Sequence, residues 1–454
     1  MTVFLPDFSG AYLRDLIVPV GQTIGMAAAG MFIAFALGIP IAVAIGTRAP
    51  GYRMLIAALS SLRAIPDLTL AILAVVVVGI GSAAGVVALA LFYTAMVGRV
   101  YADLFLTAER APLEALRATG ASRLGIAAFG LFPLTMSDLL TFGSYAFECA
   151  MRASIIVGAV GGGGLGTELV GSLNALEYHR VVTLILILVA LVAAVDNFGT
   201  LVRRVPRLGL LLVPLGLASL WLNRPQLFSF VHALSVFAGM FPPALRASQL
   251  AVLPLLITQT LAIAVGGTLL GALIAFPASP AAARRIAPPA LALLVRRTFD
   301  VARAIPELVW GLVFVVSIGT GPLAGAIALG LHSAGVLGKL YAESFENVPS
   351  APIAALSSTG ARALPIVAFG FVPLALGPLV IHTLFRLEWN VRAAAIVGMI
   401  GAGGIGQALY QAQQLFFYRE MLAYVLVTWA LVALSDWFGE RLRLRLGWRF
   451  VAAG

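Results

Sequence analysis

Glu114 to Pro133 reads EALRATGASRLGIAAFGLFP, a moderately polar island between very apolar segments. Pro112 suits the first turn of a helix, Glu114 suits its positive N-terminal end, and Ala115, Leu116, Arg117 and Ala118 all favour helix. Gly120 ends it, because glycine accepts the left-handed backbone with which many helices close. Ser122 is a sound N-cap for a second helix that enters apolar sequence through Leu124, Ile126 and Phe129. The stretch predicts a helix-turn-helix knob on the polar side of a membrane protein. On this copy alone, an ordinary polar loop between two spans explains it equally well.

A second copy removes the ambiguity. Pro352 to Pro373 reads PIAALSSTGARALPIVAFGFVP, and adding 240 to Pro112, Thr119, Gly120 and Pro133 gives Pro352, Thr359, Gly360 and Pro373. A loop that only has to be polar has no reason to keep its proline, its glycine and its spacing. The register extends outward. Arg63-Ala64-Ile65-Pro66-Asp67-Leu68 recurs as Arg303-Ala304-Ile305-Pro306-Glu307-Leu308, and Gly98-Arg99-Val100-Tyr101-Ala102-Asp103 as Gly338-Lys339-Leu340-Tyr341-Ala342-Glu343. Asp196 with Phe198-Gly199 matches Asp436 with Phe438-Gly439, and from Arg63 to about Arg203 the offset holds at 240 without a gap.

The 454 residues are 61% hydrophobic and 11% charged, with a mean hydropathy of +1.03, against about a quarter charged in globular domains. This is the composition of an all-α polytopic membrane protein. A bilayer core of about 30 Å takes about 20 helical residues. Spans are expected near 22–46, 66–82, 84–105, 125–150, 180–202, 208–222, 258–278, 306–320, 322–342, 365–388 and 420–440, eleven in all. The chain divides into a first repeat (1–205), a linking span with an external amphipathic linker (206–257) and a second repeat (258–454). Five spans per repeat would invert the second copy, and the extra span restores its orientation, so the repeats are parallel.

Basic residues set the side. Arg48, Arg53 and Arg63, then Arg110, Arg117 and Arg123, then Arg203, Arg204 and Arg207 all fall on one face. Arg284, Arg285, Arg296, Arg297 and Arg303, and finally Arg441, Arg443, Arg445 and Arg449, repeat the pattern, so this face is the cytoplasm and the N-terminus lies outside. The same rule accounts for the net charge of +10 and argues against nucleic acid as a partner. MTVFLPDFSG lacks the basic start and apolar core of a cleavable signal, so the first span should direct insertion. Stretches 8–20 and 223–256 are expected as interfacial helices. The single Cys149 excludes an intramolecular disulfide, and His179, His232, His332 and His382 lack metal-ligand spacing.

GAVGGGGLGTE, Gly158 to Glu168, has phosphate-loop spacing from Gly161 to Gly166, but Thr167, and Gln407 in the repeat, stand where the lysine belongs. No nucleotide site is expected in this chain. GAVGGGGLG and GMIGAGGIG, with Gly161, Gly163, Gly401 and Gly403, read either as re-entrant gate segments or as tight helix packing. Before each run stands a charged pair one turn apart, Glu148 with Arg152 and Glu388 with Arg392. Intramembrane arginine faces a partner or a watery path, so these pairs are i,i+4 salt bridges or the lining of an anion route. Asp67, Glu307, Asp103 and Glu343 read as helix caps or partners of nearby arginine, and Asp196 and Asp436 as partners of a basic neighbour.

The knob resembles the cytoplasmic loop of permeases of ATP-binding-cassette importers, whose pattern is Glu-Ala-Ala, three residues, Gly, nine residues, Ile-x-Leu-Pro. Glu114, Ala115, Gly120 and Pro133 fall on it; Leu116, Gly130 and Phe132 depart from it, and Ala354 replaces the acid in the second copy, followed by Ala355, Leu356 and Gly360. LHSAGVLGKLYAESFENVP and FRLEWNVRAAAIVGMIGAGGIGQALYQA make Gln259 to about Leu446 similar to the permease subunit of phosphonate-type importers, and about 22–205 looks like a diverged copy of that subunit. The resemblance implies a bacterial inner-membrane chain with no cofactor of its own. It also implies two copies of a separate ATPase on the knobs and an extracytoplasmic substrate-binding protein, with membrane lipid around the spans. Methionine and quaternary-amine permeases share these motifs and remain alternatives. An ATPase-independent secondary transporter is the competing class.

Overall fold

A computed structural model describes residues 5–63, 65–205, 212–222 and 230–445. No strand occurs among the described residues. That is what lipid demands, since a backbone in hydrocarbon must satisfy its N–H and C=O groups within its own segment. The chain forms two compact units, Met1–Gly239 and Met240–Gly454.

In the first unit α1 is Gly10–Asp15, α2 Ile17–Gly46, α3 Tyr52–Arg63, α4 Asp67–Val78, α5 Ser82–Thr107, α6 Arg110–Ala118, α7 Arg123–Ile126, α8 Phe132–Val157, α9 Leu165–Asn174, α10 Tyr178–Arg204, α11 Leu212–Leu222 and α12 Phe230–Gly239. In the second, α13 is Ala247–Ala282, α14 Pro289–Ala304, α15 Glu307–Ile318, α16 Pro322–Glu346, α17 Ser350–Ser358, α18 Ala363–Ile366, α19 Val372–Val397, α20 Gly404–Gln414 and α21 Tyr418–Arg445. Wide π-helical turns join α7 to α8 (Ala127–Leu131) and α18 to α19 (Val367–Phe371), and follow α8 (Gly158–Gly162) and α19 (Gly398–Ala402).

Glycine sets the closest packing in each unit. A Cβ on Gly30 of α2 would stand 2.7 Å from that of Leu89 on α5, and one on Gly267 of α13 would stand 2.7 Å from that of Leu329 on α16. Small residues let the backbones meet, which drives association where both faces are already apolar. Leu89 and Leu329 differ by 240 in number, but Gly30 and Gly267 by 237, so the first unit is three residues shorter between Gly30 and Arg63.

Three expectations change. The spans at 66–82 and 306–320 are not straight crossings. α4 and α15 have 12 residues each, and each is bent against the preceding helix, by 87° from α3 and 84° from α14. Twelve residues reach about 18 Å, short of a bilayer core. Pro66 and Pro306 cause the break, since the residue before proline is kept from helical dihedrals, and Ile305 takes an extended ψ of 119°. Among the described residues eight helical segments are long and apolar enough to cross, or ten if each bent pair makes one crossing, against eleven expected. The remaining span, 208–222, is described only as α11, 11 residues packed through Gly216 on Phe32 of α2.

The N-terminal stretch 8–20 is not set apart from the first span: α1 continues through Leu16, in helical backbone, into α2, and Gly10–Gly46 makes one segment of 37 residues. Of the linker 223–256, residues 247–256 are the start of α13 and 223–229 lie outside the described residues. Arg207 and Arg449 lie outside them too, as do the side chains of Arg203, Arg204 and Arg445.

Candidate functional site

The knob is built as its residues dictate. α6 closes at Thr119, whose hydroxyl donates to the Leu116 carbonyl at 2.8 Å, and Gly120 takes φ +78°. Ser122 caps α7 by accepting from the Gly125 N–H at 3.2 Å. In the second unit Thr359 donates to Leu356 at 2.7 Å and Gly360 takes φ +81°. Arg362 stands at the Ser122 position and gives no side-chain cap.

Gly130, a departure from the family pattern, has a physical reason. It sits in the π turn under α6, and a Cβ there would come within 2.6 Å of Leu113 and 2.9 Å of Leu116. Gly370 likewise receives Ile353, at 2.9 Å from such a Cβ, and Leu356, at 3.3 Å. Seating α6 and α17 by these residues leaves Glu114, Ala115, Ala354 and Ala355 on the exposed side, while Leu116 and Leu356 are half-buried. Each knob also exposes an apolar pair next to the short helix: Leu124 with Phe129, and Leu364 with Phe369.

At the far end of α8 the glycine run reverses the chain. Gly161, Gly163 and Gly164 have φ of +107°, +83° and +74°, and Gly401, Gly403 and Gly404 have +106°, +91° and +73°. A Cβ on Gly166 would overlap the Ile155 carbonyl, and one on Gly406 that of Ala395, so α9 and α20 lie against the preceding helix with no room for a side chain. The turn is tied on both sides. Gly81 N–H donates to the Gly161 carbonyl at 2.9 Å, and Gly321 to Gly401 at 2.9 Å.

Gln22 and Thr23 of α2 accept from the N–H groups of Gly164 and Leu165, both at 2.9 Å, and so cap α9. Gln259 and Thr260 of α13 do the same for Gly404 and Ile405, both at 3.0 Å. This Gln-Thr clamp escapes a search at offset 240 because it recurs at 237; Gln-Thr at the start of both first spans was the available signal.

Arg152 and Arg392 meet acids on the last helix of their own repeat, α10 and α21. Arg152 donates through Nη2 to both carboxylate oxygens of Asp196 on α10, at 2.9 Å each. Arg392 pairs with Asp436 on α21, and Glu388 pairs with Arg443, which also lies 4.2 Å over the Phe385 ring. These links run between helices rather than along one. Gly199 and Gly439 make room: a Cβ on either would overlap the carboxylate of Glu148 or Glu388, which explains why Phe-Gly follows each acid of the last span. Of the other acids, Asp103 pairs with Arg99 at 3.0 Å, and Asp67 accepts from the Leu68 N–H at 2.9 Å.

The sequence-selected residues therefore string out along α8 and α19. Knob and π turn stand at one end and the glycine turn at the other, a helix of 26 residues or about 39 Å of rod apart. The ion-paired residues lie between, in the half of each helix nearer the glycine turn.

The model of the family "Binding-protein-dependent transport system inner membrane component" matches twice, over residues 34–207 and 267–447. The phosphate-import permease protein PhnE of Mycolicibacterium smegmatis is 32% identical over 84% of this chain and 76% of its own length. A putative phosphite transport system permease protein HtxC of Stutzerimonas stutzeri is 36% identical over 48% of this chain and 75% of its own. Among solved structures, an inward-facing MetNI methionine ABC transporter aligns with a TM-score of 0.40 at 26% identity, covering 44% of this chain and 97% of that one.

Proposed function

Because the chain belongs to the family of inner-membrane components of binding-protein-dependent transport systems, we propose that it forms the translocation path for a phosphonate or phosphate-like anion in an ATP-driven importer. Hydrolysis belongs to two copies of a separate ATPase, which grip the knobs at Glu114, Ala115, Leu116 and Gly120 and at Ala354, Ala355, Leu356 and Gly360. An extracytoplasmic binding protein delivers the substrate. On this reading the knobs face the cytoplasm together with the C-terminus, the N-terminus lies outside, and the repeats are parallel.

The observation that carries the proposal is the recurrence of one knob, glycine-terminated and seated on a glycine of a π turn, in both units. Ends that merely cap membrane helices need no such seat. α8 and α19 then serve as rods that convert movement of a knob into movement of a glycine turn, which supplies the gate without covalent chemistry. Arg152 and Arg392 stand just inside that gate. Their pairing with Asp196 and Asp436 supports a role in fastening each rod to the last helix of its repeat, α10 or α21, ahead of contact with the substrate. The substrate class rests on the relatives that import phosphate and phosphite by name.

Reconstitution with the partner ATPase and binding protein in proteoliposomes tests the proposal. ATP-dependent accumulation of inorganic phosphate or methylphosphonate is expected. Accumulation without any nucleotide-hydrolysing partner overturns it.

A further inference from the structure

The second unit buries a polar cluster that the first does not repeat among its described residues. Glu307, the first residue of α15, is 8% exposed; His332 and Ser333 of α16 are 6% and 0% exposed, and Arg386 and Asn390 of α19 are 7% and 0%. Arg386 Nε donates to the Ser333 hydroxyl at 2.8 Å. Asn390 donates through Nδ2 to Ser333 at 3.0 Å and to Thr268 of α13 at 2.9 Å. His332 is held by Nδ1 at 3.0 Å from the Ile305 carbonyl, which leaves Nε2 at 3.7 Å from the Glu307 carboxylate. The charge of Arg386 acts on that carboxylate as well.

The cluster lies at membrane depth by three counts. His332 is the eleventh of 25 residues in α16, Arg386 the fifteenth of 26 in α19, and α15 is too short to carry Glu307 to a bilayer surface. At the matching positions the first unit has Asp67, Phe92, Tyr93, Ala146, Cys149 and Ala150, with Met31 in place of Thr268. Duplication therefore cannot explain the cluster, and a polar network at this depth is kept for use.

Its chemistry is that of a carboxylate beside an imidazole, with a guanidinium, a hydroxyl and an amide linked by hydrogen bonds around the next residue of the same helix. Donors that hold a tethered carboxylate suit the oxygens of a tetrahedral phosphorus anion equally well. We infer that Arg386, His332 and Ser333 form an oxyanion-binding site on the route through the second unit, closed in this structure by the Glu307 carboxylate. The anion in transit displaces Glu307, and Glu307 returns when the anion leaves. Only one half of the chain handles the charge. The inference rests on the proposed phosphonate or phosphate class and names the residues that read it.

Glu307→Gln, Arg386→Lys, Arg386→Gln and the double variant Glu307→Gln/Arg386→Gln test it in the assembled complex. Equilibrium dialysis with radiolabelled inorganic phosphate is run beside ATP-driven uptake. Removing the competing charge should tighten phosphate binding about tenfold or more in Glu307→Gln. Arg386→Lys should weaken binding, and the double variant should neither bind nor transport while retaining its ATPase partners. Unchanged binding in Glu307→Gln, or uptake restored in the double variant as for two charges kept only for structure, overturns the inference. If the wild type moves neither phosphate nor methylphosphonate while Glu307→Gln binds phosphate through Arg386, the site stands and the importer reading fails.

Discussion

Gly130 shows how much one missing side chain can position. Leu113 and Leu116 occupy the space a Cβ would fill, so the angle of α6 on its rod is fixed by a hydrogen atom. Gly130→Val should cost about 1–3 kcal/mol by overpacking and should lower ATPase stimulation more than it lowers expression. Gly370→Val, facing the more distant Leu356, should act more mildly; equal effects in ATPase assays of the two would show that the seat does not set coupling. Gly120 and Gly360 were legible in the sequence because a left-handed helix end declares itself locally. Gly130 read only as a departure, since its purpose depends on which leucines stand above it. The Gln-Thr clamp was hidden by the three-residue change in offset. Each of its four hydrogen bonds contributes about 1 kcal/mol, so Gln22→Ala with Thr23→Val should lower the thermal midpoint measurably and loosen the Gly161–Gly164 turn.

Elements are tied by charge as well as by shape. Arg392 with Asp436 and Glu388 with Arg443 join α19 to α21, and Arg152 with Asp196 joins α8 to α10. The sequence offered Glu388 and Arg392 as neighbours on one helix. Their partners on α21 could not be read, because no local spacing encodes which helix lies alongside. Asp196 and Asp436 were legible as acids awaiting a base. Removing one member of a sheltered pair strands the other, whereas removing both does not. Arg392→Gln should therefore lower the thermal midpoint more than Arg392→Gln/Asp436→Asn does, and a double variant less stable than the single would count against the pair as a fastening. If instead the two arginines contact substrate, Arg152→Gln/Arg392→Gln abolishes uptake in a complex that still assembles. The bent pairs were half legible: Pro66 and Pro306 marked a break, but the apolar runs after them gave no sign of stopping at 12 residues.

At the scale of the molecule, duplication was the clearest message of the sequence, and the two units share knob, glycine turn, clamp and cross-helix ion pair. They differ where function would need them to. Glu114 corresponds to Ala354 in the second repeat, so Glu114→Ala should reduce ATPase stimulation while Ala354→Gly leaves it nearly unchanged; equal losses in a coupled ATPase assay would remove the asymmetry. Arg386 facing Ala146 was visible in the same alignment, as a charge that only one copy carries in mid-span. Its meaning needed Ser333 and Glu307 brought to it by two other stretches of chain, with Asn390 one turn along its own helix.

The central claim is that one separate ATPase grips each knob. Cysteines introduced as Glu114→Cys and Ala354→Cys, singly in a Cys149→Ser background, can be cross-linked to the co-expressed ATPase in intact membranes. The account predicts a cross-linked product from each position and labelling of both from the cytoplasmic face. Labelling from opposite faces, or a product from neither position in a complex that hydrolyses ATP, would contradict it.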